Sequence, residues 1–300
     1  MKILKTTIGI TLFGIHFLNA EVITISRYDE LINYHKNANM SLVEGVKIGG
    51  IYASYGNLNY LLEADFSHTH VDFKKNFISD FTQDDYSFLA SRYYPMFMYR
   101  VGIHSIKTDD VDLGDATIFI ASLQKYQTQE KSKLTYGTDF YLSHYKKGYN
   151  KKGELGKIDI YQFSPFVSYF KIINSNTTNS VKMTLTDINT NAYKQQNYFS
   201  YALEDAVTYQ KITTKIKGYK GEKKSSIEDD GRTVYNTKDL MKYGYGAQLS
   251  YALTSNFSIN LSYDIHHFEI PDLYTFNQEK QNNAISVTNS VTIGSISYSY

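Results

Sequence analysis

The sequence predicts an all-β fold, an antiparallel transmembrane β-barrel of about twelve strands. Three observations predict it. Segments of alternating apolar and polar residues recur along the chain, aromatic residues are frequent, with 29 Tyr and 17 Phe, and prolines number only three. Strands of a membrane barrel alternate a lipid-facing apolar residue with a lumen-facing polar one, which gives many aromatic residues at an unremarkable mean hydropathy. The chain has no cysteine, so its fold does not depend on disulfides.

The first twenty residues predict a secretory signal peptide. Lys2 and Lys5 precede an apolar run from Ile8 to Leu18, and the small residue Ala20 suits a cleavage site. The apolar run is shorter than the ~20 residues that a membrane-spanning helix needs, and no later run reaches that length. If the exported chain enters a membrane, it must do so as closed strands, because these also satisfy every backbone polar group in lipid.

The alternation is clearest over residues 243–265. Tyr243, Tyr245 and Leu249 share one face, a turn follows at 254–256, and the alternation resumes from Phe257 to Ile265, which predicts a β-hairpin. The other predicted strands are 43–55, 60–73, 86–93, 98–106, 116–126, 134–145, 158–172, 181–188, 198–216 and 285–300. Short and long connections between strands alternate up to residue 217. After it, long connections fall where the alternation predicts short ones. Ten or fourteen strands therefore remain compatible with the sequence.

Two segments are assigned outside the barrel wall, which is predicted to span 42–300. Segment 21–41 is expected to be a periplasmic lead-in. Ser26 and Asp29 have the spacing of a capping box, so a short helix is one interpretation and a strand-like or disordered segment is the other. Segment 218–239 carries many charges of both signs and is predicted to be a surface loop.

The end of the chain alternates apolar and polar residues, with Ile296, Tyr298 and Tyr300 separated by serines. This pattern resembles the C-terminal signature of bacterial outer-membrane β-barrel proteins of porin-like type. The resemblance implies the outer membrane as the location, with its lipids and the barrel-assembly machinery as partners. It also implies that Ile296, Tyr298 and Tyr300 are the assembly signal. A soluble exported β-sandwich, whose strands alternate too, is the other interpretation.

The C-terminal segment departs from that signature at two points. The last residue is Tyr where Phe is usual. The apolar residues also change parity between Ile293 and Ile296, which predicts a β-bulge near Gly294, because a bulge inserts one residue and shifts the faces of a strand.

If the apolar face of each strand contacts lipid, the opposite face lines the lumen with ionisable residues. The lumen-lining candidates are Lys47, Glu63, Asp65, Arg100, His104, Asp139, Lys182, Glu204, Asp264 and His266. About twelve strands enclose an interior between one filled by side chains and a wide aqueous channel. We therefore expect a narrow passive channel for ions or small polar solutes. The alternatives are an interior filled by charge pairs, and an adhesin-like barrel that acts through its loops without transport.

Other function classes find little support. Removing the two lysines of the signal leaves 29 basic residues against 30 acidic ones, which argues against a nucleic-acid partner. Ser143 with His144, and Ser262 with His266, lie in no catalytic motif, so we expect no enzyme; a lipid hydrolase or protease is the lesser alternative.

No cofactor and no metal site are predicted. His68 and His70 share a strand face at a spacing that suits a divalent cation, but they are interpreted as ordinary rim histidines. The acidic run 109–115 departs from the EF-hand pattern and is expected to be a solvated loop.

Overall fold

A computed structural model describes residues 22–34, 43–73, 80–110, 114–149, 154–192, 196–234, 240–270 and 285–300. The strands are β1 (Val22–Tyr34), β2 (Val43–Gly56), β3 (Tyr60–Phe73), β4 (Phe81–Tyr93), β5 (Phe97–Thr108), β6 (Ala116–Gln129), β7 (Ser132–Tyr149), β8 (Leu155–Asn174), β9 (Thr177–Thr190), β10 (Asn197–Tyr209), β11 (Ile212–Lys223), β12 (Ile227–Glu228), β13 (Thr233–Val234), β14 (Leu240–Ala252), β15 (Phe257–Ile270) and β16 (Ile285–Ser299). A single 3₁₀ turn, Asp229–Gly231, separates β12 from β13. Within the described ranges no helix is long and apolar enough to cross a membrane. The predicted signal peptide, 1–20, lies outside the described residues.

Fourteen antiparallel strands close a barrel, in which β1 pairs with both β2 and β16. The all-β barrel prediction is confirmed, whereas the count of about twelve is wrong for two reasons. Segment 22–34 is a strand of the wall, and not a periplasmic helix, because pairing on both edges satisfies its backbone along nearly its whole length. The predicted strand 198–216 is two strands, β10 and β11, joined by a turn at Gln210.

The two ends of the barrel differ. The first described residue, Val22, the last residue, Tyr300, and the short turns lie at one end, where Val22 pairs with Gly56 and Thr24 with Ser299. The long connections lie at the other end. In outer-membrane barrels the short turns face the periplasm and the long loops face outward. We therefore refer to the periplasmic end and the outer end of the barrel.

The outer face carries a belt of exposed apolar side chains. Phe88, Val101, Phe119, Leu203 and Leu261 are at least half exposed. At the periplasmic end the belt also contains aromatic rings. Tyr94 and Phe97 are a stacked pair there, with ring centroids 4.4 Å apart. Such a belt on a closed barrel is stable only in lipid, since no backbone edge is left open and the apolar surface is large. The belt therefore agrees with the predicted membrane barrel.

The closing strand β16 keeps one register along its length, and the predicted bulge near Gly294 is absent from it. Ile296, Tyr298 and Tyr300 point outward, and Tyr298 is 50% exposed. The apolar residue Val291, on the other parity, points inward and is 5% exposed. The change of parity arises because the outer part of the lumen wall is itself apolar.

The charged segment predicted to be a surface loop is instead divided between the wall and the lumen. Its first residues, up to Lys223, belong to β11. The next residues, 224–234, turn into the barrel and form the β12–β13 hairpin; we call them the lumenal segment. Lys224, Ser226 and Ile227 are buried there. A charged segment can lie inside because the lumen offers it charged partners. These partners replace the water that the segment loses when it enters the barrel.

Candidate functional site: the barrel lumen

The structure places all but one of the lumen-lining candidates on the inner face. The exception is Lys47, which points outward and pairs with Asp72, Nζ to Oδ2 3.1 Å. The assignment of Lys47 is wrong because its neighbour Val46, taken as lipid-facing, is buried inside opposite Val71. Near the outer end of β2, as in β16, the apolar face is the inner one.

Arg100 joins the wall to the lumenal segment. Its Nη1 lies 2.8 Å from Oδ2 of Asp230 and its Nη2 lies 3.6 Å from Oε2 of Glu63. Its Nε donates to the Ser91 hydroxyl at 2.9 Å, and Glu63 accepts a further hydrogen bond from Tyr52. Burial of Asp230 would raise the pKa of its carboxyl, but the positive charges of Arg100, Lys182 and Arg232 together outweigh burial and hold that pKa below its usual range.

His104 forms a second link to the lumenal segment. Its Nε2 lies 2.9 Å from the Asp85 carboxylate and its Nδ1 lies 3.1 Å from the carbonyl oxygen of Gly231. A carbonyl oxygen only accepts hydrogen bonds, so Nδ1 of His104 is the donor to Gly231. Sequence reasoning placed His104 in the lumen but could not identify Asp85 or Gly231 as its partners.

Gln162 and Gly231 also fix the hairpin against the wall. The side-chain amide of Gln162 donates to the Ile227 carbonyl at 2.7 Å and accepts from the Ile227 N–H at 2.9 Å. Gly231 has φ +95°, and a Cβ at this position would lie 2.4 Å from Cδ1 of Ile120. Glycine is required here by both the backbone conformation and the close approach.

Apolar side chains cover one wall of the outer half of the lumen. They come from the inner faces of β4 to β10 and are almost completely buried. They include Leu89, Ile106, Ile118, Ile120, Ile158, Ile160 and Ile188. Ile227 of the lumenal segment packs into this apolar wall. Sequence reasoning missed the wall, although the run Ile118-Phe119-Ile120 is apolar on both faces, which indicates a strand covered on both sides.

A row of opposite charges runs across neighbouring strands in the opposite part of the lumen. Lys182 lies beside Glu204, which lies beside Lys217. Lys217 reaches across Gly246 to Asp264, with Nζ 3.1 Å from Oδ2. A Cβ on Gly246 would collide with the Asp264 carboxylate at 1.7 Å, so the glycine makes room for this ion pair. The predicted charges of this row are therefore in the lumen. Lys217 and Asp264 are paired with each other, whereas Glu204 forms its ion pair with Lys215, Nζ to Oε2 3.1 Å.

No protein-family model matches the sequence, and no curated protein matches it either. The fold is similar to that of several solved structures. A monoaromatic hydrocarbon channel, CymD, has a TM-score of 0.52 at 8% identity, with 92% of this chain and 87% of that chain covered. The toluene transporter TbuX of Ralstonia pickettii has a TM-score of 0.50 at 10% identity, with 92% and 88% covered. The toluene transporter TodX of P. putida has a TM-score of 0.50 at 10% identity, with 93% and 89% covered. At these identities the likeness establishes the fold, which is that of an outer-membrane β-barrel.

Proposed function

We propose that this protein is an outer-membrane channel for small apolar or aromatic molecules, and that the lumenal segment gates it. The apolar wall carries the proposal. A water-filled channel for ions gains nothing from a lining of isoleucine, since apolar surface in water costs roughly 25 cal/mol per Å². With the lumenal segment in place, Ile227 covers part of this wall. When the segment moves away, the uncovered surface would bind a solute of the same polarity.

The similar structures support the apolar solute class. Those proteins are described as channels or transporters for hydrocarbons and toluene, and none of these three is described as an enzyme. The second candidate is a channel for ions or small polar solutes. The row Lys182, Glu204, Lys217 and Asp264 favours it, because charged side chains that line a lumen interact with polar solutes.

Two variants separate these candidates. Ile118→Asn with Ile160→Asn places amides in the apolar wall, and Glu204→Gln with Lys217→Gln removes two of the four charges of the row without changing its net charge. For the first candidate, cells that express the isoleucine variant should lose protein-dependent uptake of radiolabelled toluene, whereas the charge variant should retain it. Planar-bilayer recordings on the same refolded proteins measure ion conductance. Protein-dependent conductance that changes only in the charge variant, with no protein-dependent toluene uptake, would establish the second candidate.

The gate is tested by replacing 224–239 with a short Gly-Ser linker that joins Lys223 to Leu240. Because β11 and β14 still pair with each other, the wall should close as before. We expect conductance in planar bilayers to rise at least severalfold over the wild type. Equal conductance in a variant that folds, as judged by heat-modifiable gel mobility, would show that the lumenal segment does not obstruct the pore.

A further inference from the structure

Three potential metal ligands meet at the outer end of the β3–β4 hairpin, on the outside of the barrel. His70 and Asp72 are on the outward face of β3, and Asp80 immediately precedes β4. One ligand atom from each of the three lies within 4.8 Å of the other two. Metal–ligand bonds of ~2.0–2.2 Å place two donors on a common ion at most ~4.4 Å apart, so small side-chain rotations suffice.

Both carboxylates of this cluster are already held by other groups. Asp72 accepts from Lys47 through Oδ2, while its Oδ1 lies 2.9 Å from Nε2 of His70. The Oδ1 atom of Asp80 accepts the backbone N–H of Phe73 at 2.7 Å. Each carboxylate thus has one oxygen positioned by a donor and a second oxygen for an ion. Such outer partners orient the ligands in protein metal sites and distinguish them from a merely acidic surface.

From this geometry we infer a site for one divalent transition-metal ion, of the zinc or copper class, on His70, Asp72 and Asp80. The imidazole sets the class, because Mg²⁺ and Ca²⁺ prefer oxygen ligands alone. The Lys47 ammonium leaves the cluster with a net charge of −1 when His70 is neutral, which favours a cation. The sequence suggested His68 as the partner of His70, but His68 pairs with Asp84 at 2.7 Å.

The position of the site separates it from the lumen. The rings of Phe66 and Tyr86, 5.1 Å apart, are on the same outward face and nearer the periplasmic end. The cluster therefore lies at the outer edge of the apolar belt, where external ions can reach it. A bound ion would tie the end of β3 to the start of β4, independently of any transport.

Zn²⁺ binding to the refolded full chain in detergent, measured by isothermal titration calorimetry, tests the site. We expect one Zn²⁺ per chain, a loss of at least tenfold in affinity in His70→Ala, and a similar loss in Asp80→Asn. The matched control His68→Ala removes a histidine of the same strand face and should bind Zn²⁺ as the wild type does. Heat-modifiable gel mobility verifies that each variant is folded.

Co²⁺ supplies an independent readout, because its visible absorption reports nitrogen and oxygen ligation. A Co²⁺ spectrum that changes in His70→Ala and not in His68→Ala supports the assignment. Equal Zn²⁺ affinity in the wild type and His70→Ala would overturn it. Binding of Mg²⁺ or Ca²⁺ as tight as that of Zn²⁺ would also overturn it, and would indicate an oxygen site on the carboxylates alone.

Discussion

Replacing Asp230 by Asn should weaken the hold of the wall on the lumenal segment. The substitution removes the negative charge that faces Arg100 at 2.8 Å and keeps the shape of the side chain. It also suits the backbone, because Asp230 has φ 60° and Asn tolerates the left-handed region. The remaining partner of Arg100, Glu63 at 3.6 Å, prevents the guanidinium from being left without a counter-charge.

The free energy lost in Asp230→Asn depends on how exposed the two side chains of the ion pair are. Arg100 is 8% exposed and Asp230 is 39% exposed. Exposed ion pairs contribute ~0–1 kcal/mol, whereas breaking a buried pair costs ~3–5 kcal/mol. Because Asp230 keeps this exposure and Glu63 remains beside Arg100, we expect a loss of about 1 kcal/mol, near the value for an exposed pair. The ratio of inserted to displaced segment should then fall about fivefold.

Planar-bilayer recordings measure the fraction of time that single channels are open. The ratio of inserted to displaced segment follows from the closed time divided by the open time. Asp229→Asn is the matched control, because Asp229 adjoins Asp230 and loses the same charge. The Asp229 carboxylate accepts a hydrogen bond from Thr233 within the segment. Equal open fractions in the two variants would refute the reasoning, since they would show that net charge matters and the Arg100 ion pair does not.

Three further outcomes follow from the same structure. Since the pKa of Asp230 is lowered, its ion pair is fully present above the ordinary carboxyl pKa of ~4 and is lost as the pH falls through the lowered value. The open fraction should therefore rise as the pH falls below ~4, and this rise should be absent in Asp230→Asn. Gly231→Val should displace the segment and raise conductance, because its Cβ would meet Ile120, whereas Gly156→Val, with open space around it, should not. Tyr298→Asp, on the outward face, should leave export intact and block membrane insertion, and normal levels in outer-membrane fractions would contradict the assembly role of this strand.

The barrel class could be predicted from the sequence because the lipid-facing pattern is strong over the periplasmic half of the wall. The strand count could not be, and the turn between β10 and β11 gives one reason. That turn contains Gln210 at φ 53° followed by Lys211, with no glycine, proline or asparagine to mark it. The N-terminal strand gives another. Its outward face includes Arg27 and Asp29 among isoleucines, so its alternation is weak until pairing with β2 and β16 is known.

The rule that apolar residues face lipid held for most of the lumen-lining candidates and was wrong for Lys47. It holds where the lumen is polar, as around the row from Lys182 to Asp264. It is wrong at the outer end, where Val46 and Val291 point inward. Alternation gives the two faces of a strand but not which face is inside, and an interior that changes polarity along its length removes the only sequence signal for that choice.

The lumenal segment was the feature farthest from prediction, for a reason that bears on its function. A charged segment of both signs has the composition of a solvated loop, and nothing local distinguishes water outside the barrel from charged partners inside it. Arg100 and Asp230, the partners that hold it, are 130 positions apart in the chain. The lumenal segment is held in the lumen by a few polar contacts and by the packing of Ile227 against the apolar wall, so in the proposed gate a small free energy displaces it. That balance is what a gate requires, because a ligand can shift an equilibrium only by as much as its affinities for the two states differ.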